Sequence, residues 1–295
     1  MDLNSVRMFV AVVQAGSLST AAERVGIPLP TLSRRIRELE SELNVRLFER
    51  HSQGVKVTEV GTRLYEHAAR GIESLEDAER AVVSNDEAQL TGTLRLSIPP
   101  AFEPWWELVA EFQRQHRHVT VTVYTTERRV ELVEDGIDVA LRVGAIVHEQ
   151  MVARKLFSYR HVLVASPKLL AEFGEPSSPD ELRRFPCGVW RRDTLSNHIW
   201  QLGDQMFEPS ATLVTNDYLH LRNRAISGDL VTELPPFLAR EAVANGTLCL
   251  LLPEYPLPMQ DISLLYPSRR FVPSIVRAYI NFCQEQVVGF CEGKK

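Results

Sequence analysis

The sequence has few cysteines and no long apolar run, and each shortage excludes a class of protein. Its 295 residues include four cysteines, none in C-x-x-C spacing, which are too few for a disulfide scaffold in a chain of this length. No uninterrupted apolar segment approaches the roughly 18 residues that a bilayer span needs. The first residues, MDLNSVRMF, carry an acid where a signal peptide carries basic residues. We therefore expect buried, reduced thiols and a soluble cytoplasmic protein with no membrane partner.

The sequence also lacks the short motifs that accompany common catalytic chemistries. It contains no G-x-S-x-G nucleophile turn, no G-x-x-x-x-G-K phosphate loop and no G-x-G-x-x-G dinucleotide turn. No cluster of His, Cys or carboxylate residues has the spacing of a metal site. These absences predict that the protein is not an enzyme and needs no cofactor or metal.

Charge is unevenly distributed along a chain that is 44% hydrophobic and long enough for two or three globular units. The formal net charge is -5, which argues against a general nucleic-acid coat. Residues 1–62 nevertheless carry eight Lys or Arg against seven Asp or Glu, whereas residues 63–90 carry three against seven. Any nucleic-acid contact is therefore expected in the N-terminal segment.

The N-terminal segment begins with a pattern typical of short, well-delimited helices. Apolar residues at i, i+3, i+4 and i+7 predict a first helix that stops at Gly16. A second helix is expected to be capped by Ser19 or Thr20 and to end at Gly26. A third helix has Pro30 near its start, where a missing N–H costs little.

The third helix combines a buried stripe with an exposed polar face, as a helix-turn-helix recognition helix does. Its predicted buried stripe consists of Leu32, Ile36, Leu39 and Leu43. The predicted DNA-binding residues on its other side are Pro30, Thr31, Ser33, Arg34 and Arg37. Arg34 is the strongest candidate, because a guanidinium can donate two hydrogen bonds to one guanine edge or clamp a phosphate. The alternative is a solvated helix face without a partner.

A small hairpin and a long helix are predicted next. Strands at 45–50 and 55–58 flank a glycine-bearing turn and would form a wing, on which Arg50, His51 and Lys56 could reach the DNA backbone or minor groove. The alternative for these residues is a polar turn without a DNA contact. Thr58 can cap a long helix with apolar or small residues three or four apart. We expect this seam to dimerise through Leu64, Ala68, Ile72 and Leu75. A helix buried within its own chain is the alternative.

The remainder alternates strands and helices and predicts an α/β body with two lobes. The predicted strands include 93–98, 119–125, 138–143, 160–165, 211–215, 230–234, 247–252 and 262–266. The predicted helices include 104–115, 128–134, 218–227, 237–245 and 274–288. The crevice between the two lobes is the expected ligand site. Trp105 and Trp106 could stack on an aromatic ligand there, but their helix pattern favours packing into a lobe core.

Many fixed spacings near the N-terminus resemble those of LysR-type transcriptional regulators. The matching segments are Ala21-Ala22-x-x-Val25, Pro30-Thr31-Leu32-Ser33, Ile36-x-x-Leu39-Glu40-x-x-Leu43, Leu47-Phe48-x-Arg50 and Thr58-x-x-Gly61. Further similarities to the family's sensor domain are Asp138-Val139-Ala140-Leu141-Arg142-Val143-Gly144 and Val162-Leu163-Val164-Ala165-Ser166-Pro167. The resemblance implies an N-terminal all-α winged helix-turn-helix, a dimerising linker helix and a C-terminal periplasmic-binding-protein-like α/β domain, assembled as a dimer of dimers.

This resemblance implies three segments with different tasks. Residues 1–60 would bind double-stranded DNA, and residues 61–90 would form the linker helix. Residues 91–295 would sense a small molecule, with lobe I at about 91–163 and 267–295 and lobe II at about 164–266. Effector-dependent rearrangement of a homotetramer would then alter promoter bending or contact with RNA polymerase. The alternatives are a DNA-tethered α/β enzyme and a constitutive DNA-binding protein without a ligand.

The sequence departs from the family pattern at the start of the third helix. Pro28 and Leu29 stand where the family usually has Ser or Thr followed by Gln, so a cap and a polar DNA contact are missing. Asn44 replaces the common glycine after the third helix and is expected to adopt the same left-handed conformation.

The resemblance also implies an effector site between the lobes. The corresponding residues are Pro100, Ala101, Phe102, Thr125, Thr126, Val143, Gly144, Asn216, Asp217, Thr232 and Leu234. The turn at residues 99–102 precedes a helix whose N-terminus would favour a carboxylate, so a small organic acid with an apolar or aromatic part is the expected effector. The alternative is that this turn merely packs inward. Cys187 and Cys249 are further candidates as redox sensors, although nothing basic adjoins Cys249.

Overall fold

The protein divides into two compact units, Met1–Gly92 and Thr93–Lys295. The computed structural model describes residues 1–51, 54–83, 90–126, 132, 135–144, 151–192, 199–268 and 272–291. Among these residues, no helix is both long enough and apolar enough to span a membrane.

The first unit consists of four helices and a two-stranded hairpin. Its helices are α1 (Leu3–Ala15), α2 (Leu18–Val25), α3 (Leu29–Leu43) and α4 (Glu59–Val83). The antiparallel strands β1 (Phe48–His51) and β2 (Gly54–Val57) form the wing. The first strand starts three residues later than predicted, and Glu40 Oε1 accepts hydrogen bonds from the N–H groups of Leu47 and Phe48 at its start, at 2.8 and 3.2 Å.

The ends of these helices follow the expected capping chemistry with one correction. Gly16 and Gly26 adopt left-handed conformations after α1 and α2, and Asn44 does so after α3 with a φ of 53°. The cap of α2 is Ser17 and not Ser19 or Thr20. Ser17 has an extended backbone and its side chain accepts from the N–H of Thr20, so the helix begins at Leu18.

The second unit contains two five-stranded sheets, each covered by helices. The first sheet has the order β4 (Val119–Thr125), β3 (Gly92–Ile98), β5 (Val139–Val143), β14 (Met259–Pro267), β6 (Met151–Arg160). The second has the order β11 (Ala211–Thr215), β8 (Cys187–Trp190), β12 (Val231–Leu234), β7 (Val162–Ala165), β13 (Cys249–Leu251). The sheets define a first and a second lobe. A separate hairpin pairs β9 (Trp200–Leu202) with β10 (Gln205–Phe207).

The helices of the second unit lie between these strands in sequence. They are α5 (Pro104–Gln115), α6 (Pro167–Phe173), α7 (Tyr218–Ile226), α8 (Pro236–Ala244) and α9 (Ser274–Cys291), with a 3-10 helix at Pro179–Arg184. Trp105 on α5 is 1% exposed, and its Nε1–H donates to the Tyr279 hydroxyl on α9 at 2.8 Å. This tryptophan therefore belongs to the core of the first lobe, whereas Trp106 is 40% exposed.

The lobe boundaries differ from the sequence prediction in one respect. Strand β14 pairs with β5 and β6, so residues 259–266 belong to the first lobe and not to lobe II. The single strand predicted at 160–165 is two strands, β6 and β7, which pair in different sheets and are separated by His161. The chain thus crosses between the lobes at His161. The helix predicted at 128–134 lies outside the described residues, except for the buried Leu132.

Candidate DNA-binding and effector-binding sites

The exposed face of α3 is held in place by the apolar core of the first unit. Leu32, Ile36 and Leu39 are at most 3% exposed and pack with residues of α1 and α2. Their burial turns Arg34 and Arg37 to the opposite, solvent-facing side of the helix. Of the other predicted DNA-binding residues on α3, Pro30 is exposed and Thr31 and Ser33 are half-buried.

Local hydrogen bonds orient the two exposed arginines of α3. Arg34 Nη1 lies 3.2 Å from Glu38 Oε1, one turn along the helix, and the Arg34 side chain is 64% exposed. Arg37 Nη2 donates to Ser33 Oγ at 3.3 Å. Arg35, which the sequence reasoning did not select, lies 3.6 Å from Glu38 and 3.9 Å from Asp2. Exposed pairs of this kind are weak and can exchange for phosphate or base contacts.

The N-terminus of α3 is apolar and exposed. Pro28 occupies the cap position without a side-chain hydrogen bond, as the sequence indicates. Leu29 is 41% exposed and is followed by the exposed Pro30. Because the N-terminal residues of a recognition helix contact base edges, these two residues give this end of α3 an apolar contact surface.

The wing carries the other two predicted DNA-binding residues. In the hairpin register Glu49 is opposite Lys56, and Arg50 is opposite Val55. Lys56 is exposed. The backbone of Arg50 lies in β1, whereas its side chain lies outside the described residues.

The Thr58-x-x-Gly61 segment attaches α4 to the wing. Thr58 Oγ1 donates to the carbonyl of Arg46 at 2.8 Å and accepts from the N–H of Gly61 at 3.0 Å, as expected for a cap. Gly61 packs so closely that a Cβ atom would overlap the Leu47 carbonyl oxygen. A glycine is therefore required where α4 passes the start of the wing.

The predicted dimerisation seam on α4 is used in part within the chain itself. Ile72 is 8% exposed and belongs to the core of the first unit, against which Leu64 and Ala68 also pack. These residues cover part of the unit's own core in the single chain, and their role in a seam with a partner helix stays a prediction. Leu75 differs, because it is 47% exposed.

The turn before α5 combines a left-handed residue with a buried aromatic ring. Ala101 has a φ of 59°, in the left-handed region, while Phe102 is 3% exposed. The N–H groups of Trp105 and Trp106 bond to the carbonyls of Phe102 and Glu103, and Pro104 has none. Glu103 lies at the same helix end and is paired with Arg222, and the carboxylate site at this turn stays a prediction.

The other predicted effector residues are distributed between the surface and the core. Pro100, Val143, Gly144 and Thr126 are half-buried, Thr125 and Asn216 are exposed, and the exposed Asp217 caps α7 by accepting from the N–H of Leu219 at 2.8 Å. Thr232 is fully buried and donates to the carbonyl of Gly188 at 2.8 Å. Leu234 is fully buried in the apolar cluster of the second lobe. Thr232 and Leu234 therefore stabilise the core of the second lobe.

A chain of ring contacts, which sequence reasoning missed, runs between the lobes. Phe102 contacts Phe237 on α8, with ring centroids 4.9 Å apart. The series continues through Tyr159 and His161 to Tyr218, which stacks on Trp190 at 5.5 Å with ring planes 7° apart. No local sequence signal indicates this arrangement, because its members come from distant strands and helices.

Two charged pairs accompany these rings. His161 Nδ1 lies 3.3 Å from Glu233 Oε2, with side chains only 9% and 11% exposed. Arg222 Nη1 on α7 lies 3.5 Å from Glu103 Oε1, which joins the second lobe to the first.

The described residues contain no group of three or more His, Cys, Asp or Glu side chains that could hold a metal ion. The thiols differ in accessibility. Burial raises the pKa of the Cys187 thiol from 9.0 to about 12, whereas Cys249 is half-buried. A thiol with so high a pKa is a poor nucleophile towards peroxide, which disfavours Cys187 as a redox sensor.

Comparison with known proteins assigns both units. Residues 3–62 match the family model described as "Bacterial regulatory helix-turn-helix protein, lysR family", and residues 87–288 match the "LysR substrate binding domain". The chain is 32% identical over 290 residues to an HTH-type transcriptional regulator of Xanthomonas campestris pv. campestris, covering 95% of this chain and 84% of the relative. It is 31% identical to the regulator PtxR of Pseudomonas aeruginosa, covering 97% and 93%.

A solved structure is similar over nearly the whole chain. CrgA, a LysR-type transcriptional regulator from Neisseria meningitidis, matches with a TM-score of 0.62 and 27% identity, covering 97% of this chain and 99% of that one. The winged helix-turn-helix, the long helix and the two-lobed α/β unit agree with this similarity. The chain therefore belongs to the LysR family of helix-turn-helix transcriptional regulators with an effector-binding domain.

Proposed function

We propose that the first unit binds an operator through the N-terminal half of α3 in the major groove, with the wing on the adjacent backbone. One observation carries the proposal: burial of Leu32, Ile36 and Leu39 leaves Arg34 and Arg37 exposed together on the opposite face of α3. The predicted contacts remain Pro30, Thr31, Ser33, Arg34, Arg37, Arg50 and Lys56.

We further propose how the chains assemble and how the assembly responds to a small molecule. Two chains pair through the exposed side of α4, and two such pairs form a tetramer on DNA. A small organic acid between the lobes of the second unit changes their closure and so the spacing of the DNA-binding pairs. The altered promoter geometry then changes access or contact for RNA polymerase. Because bacterial DNA and RNA polymerase lie in the cytoplasm, the protein acts there, and it catalyses no reaction.

The test begins with sequencing the genomic fragments that the purified full chain retains. Arg34→Ala should weaken binding to the recovered operator by roughly 1 to 3 kcal/mol, measured at constant salt, because it removes a base or phosphate contact. Arg183→Ala, which removes an exposed arginine of the second unit, is the control and should bind as the parent does. Unchanged affinity for Arg34→Ala would contradict the assignment of α3. An equal loss on every sequence would reassign Arg34 to phosphate.

The two alternative functions predict different experimental results. A DNA-tethered enzyme would convert a small molecule to a product, and mass spectrometry of incubated metabolite mixtures would detect that product. A constitutive DNA-binding protein would show the same operator footprint with every small molecule tested.

A further inference from the structure

The polar face of α3 carries a carboxylate beside its arginines. Arg34, Arg37, Glu38 and Ser41 are all exposed and are spaced at i, i+3, i+4 and i+7, so they share one face of the helix. This is the face proposed to meet DNA, and a carboxylate there repels phosphate groups. Glu38 therefore lowers the affinity for DNA of any sequence, unless it has a second role.

Glu38 uses each of its carboxylate oxygen atoms for a different arginine. Its Oε1 accepts from Arg34 Nη1 at 3.2 Å, and its Oε2 lies 3.6 Å from Arg35 Nη1. Arg35 Nη1 lies in turn 3.9 Å from Oδ2 of Asp2, which caps α1 and accepts two hydrogen bonds from Ser5. The Glu38 carboxylate is thus contacted by Arg35 at one oxygen and holds Arg34 with the other.

Helix stability does not account for the pair of Arg34 and Glu38. An acid and a base four residues apart stabilise a helix better when the acid comes first, whereas here the arginine precedes the glutamate. Both side chains are exposed, at 64% and 47%, so the pair contributes little to folding. A role in DNA binding is the better explanation.

The pair preorganises the Arg34 guanidinium. The hydrogen bond to Glu38 uses Nη1, which leaves the edge formed by Nε–H and Nη2–H for two parallel bonds to a guanine. An arginine that is already held in the unbound protein loses less side-chain entropy when it contacts a base. A phosphate group, in contrast, must compete with the carboxylate for the guanidinium. Glu38 therefore disfavours phosphate contacts, which any sequence offers, more than it disfavours a guanine contact.

We propose that Glu38 is a specificity-determining residue, which positions Arg34 for one guanine and withholds Arg34 and Arg35 from the phosphates of other DNA. Specificity is gained here by weakening the binding of wrong sequences. This inference rests on the proposed function, in which α3 enters the major groove of an operator. The DNA-binding residues predicted from the sequence do not include Glu38.

The first measurement locates the base pair that Arg34 contacts. The full chain and its Arg34→Ala variant are titrated with the operator fragment recovered from genomic DNA, and with copies in which each base pair is replaced in turn. The base pair in contact with Arg34 is the one whose replacement weakens binding of the parent but not of Arg34→Ala. We expect a G·C pair at this position.

The second measurement uses Glu38→Gln, which keeps the length and an acceptor oxygen but removes the charge. Discrimination at the Arg34 base pair should fall about fivefold, and discrimination at the other positions should stay as in the parent. Affinity for a duplex of scrambled sequence should rise about fivefold, with a salt dependence steeper by about one phosphate contact. Glu42→Gln is the control, because it removes the same charge one turn further along α3, where the carboxylate contacts the N-terminal amine. It should leave discrimination at the Arg34 base pair unchanged.

Three results would overturn the role of Glu38. Equal gains in affinity for operator and scrambled DNA would show that Glu38 acts only as a repulsive charge. Equal losses of discrimination in Glu38→Gln and Glu42→Gln would show that any acid on α3 has this effect. A loss of discrimination that is accompanied by a lower melting temperature in circular dichroism would assign Glu38 to the fold, whereas we expect the parent's melting temperature.

The outcomes also separate this inference from the proposed function. If Arg34→Ala binds the operator as tightly as the parent, the proposed docking of α3 is wrong. If Arg34→Ala weakens binding but no base-pair replacement becomes silent in it, Arg34 contacts phosphate and the positioning role of Glu38 is wrong. If such a base pair is found and Glu38→Gln still discriminates there as the parent does, only the role of Glu38 is wrong and the proposed function stands.

Discussion

The guanidinium of Arg222 and the carboxylate of Glu103 lie 3.5 Å apart and connect the second lobe to the first. Arg222 is on α7, one turn after Tyr218, while Glu103 follows Phe102, whose ring contacts Phe237. A polar and an aromatic contact therefore join the lobes on the same side of the unit. Both contacts must adjust when the lobes move relative to each other.

A double-mutant cycle on Arg222→Ala and Glu103→Ala should give a coupling free energy of about 0.2 to 1 kcal/mol for unfolding of the second unit. The value is small because both side chains are partly exposed and screened by solvent. Denaturant unfolding at low and high salt measures it, and the coupling should fall as salt rises. Zero coupling at low salt would show that this pair does not stabilise the lobe arrangement.

Local patterns predicted the first unit well because its helices are defined by nearby residues. The glycines after α1 and α2, Asn44 after α3 and Thr58 before α4 all act as the sequence indicates. The incorrect prediction of the α2 cap also has a local origin, because Ser17, Ser19 and Thr20 all offer a capping hydroxyl. Only the structure shows that Ser17 has the extended backbone of a cap residue.

In the second unit, the strands that pair and the rings that contact each other are distant in sequence, and the prediction was less accurate there. Strand β14 was recognised but assigned to the wrong lobe, because its pairing with β5 spans more than a hundred residues. Likewise, Trp190 at the end of β8 and His161 between β6 and β7 are linked through Tyr218 on α7. Single-sequence patterns carry no information on contacts between such distant residues, so these ring contacts could not be predicted.

Gly61→Ala should destabilise the first unit by about 1 to 3 kcal/mol, because the added methyl group would overlap the Leu47 carbonyl oxygen and lie 2.7 Å from Val57 Cγ2. Gly71→Ala, on the same helix, meets nothing within 4 Å and should stabilise by up to about 1 kcal/mol. Chemical denaturation followed by circular dichroism compares the two. Equal effects of both substitutions would contradict the close packing of α4 on the wing.

Cys187 should resist alkylation by iodoacetamide at pH 8, because burial raises its pKa to about 12 and leaves almost no thiolate. Its folded pKa lies above the ordinary value of 9.0, so its contribution to stability is complete below pH 9 and is lost as the pH rises towards 12. Site-resolved mass spectrometry of the native chain provides the measurement, with the half-buried Cys249 as internal comparison. Equal modification rates at the two thiols would refute this account.

Leu75→Glu should dissociate the proposed α4 pair while the first unit stays folded, since Leu75 is 47% exposed in the single chain. A carboxylate buried against a partner helix without a counter-charge costs about 3 to 5 kcal/mol. Ser74→Glu places the same charge at the neighbouring exposed position and should leave assembly unchanged. Sedimentation velocity distinguishes the species, and a Leu75→Glu chain that still assembles through α4 would remove Leu75 from the interface.

Leu29 should contact a thymine methyl group in the operator, because it is 41% exposed at the N-terminus of α3, where a polar residue would otherwise reach a base edge. Replacing that thymine by deoxyuracil removes one methyl group, worth about 0.8 kcal/mol or roughly a fourfold loss of affinity. Leu29→Ala should bind the thymine and uracil operators equally, as judged by fluorescence anisotropy. Val25→Ala, which shortens an equally exposed apolar residue at the end of α2, should keep the parent's discrimination. A Leu29→Ala chain that still discriminates would show that the methyl contact comes from another residue.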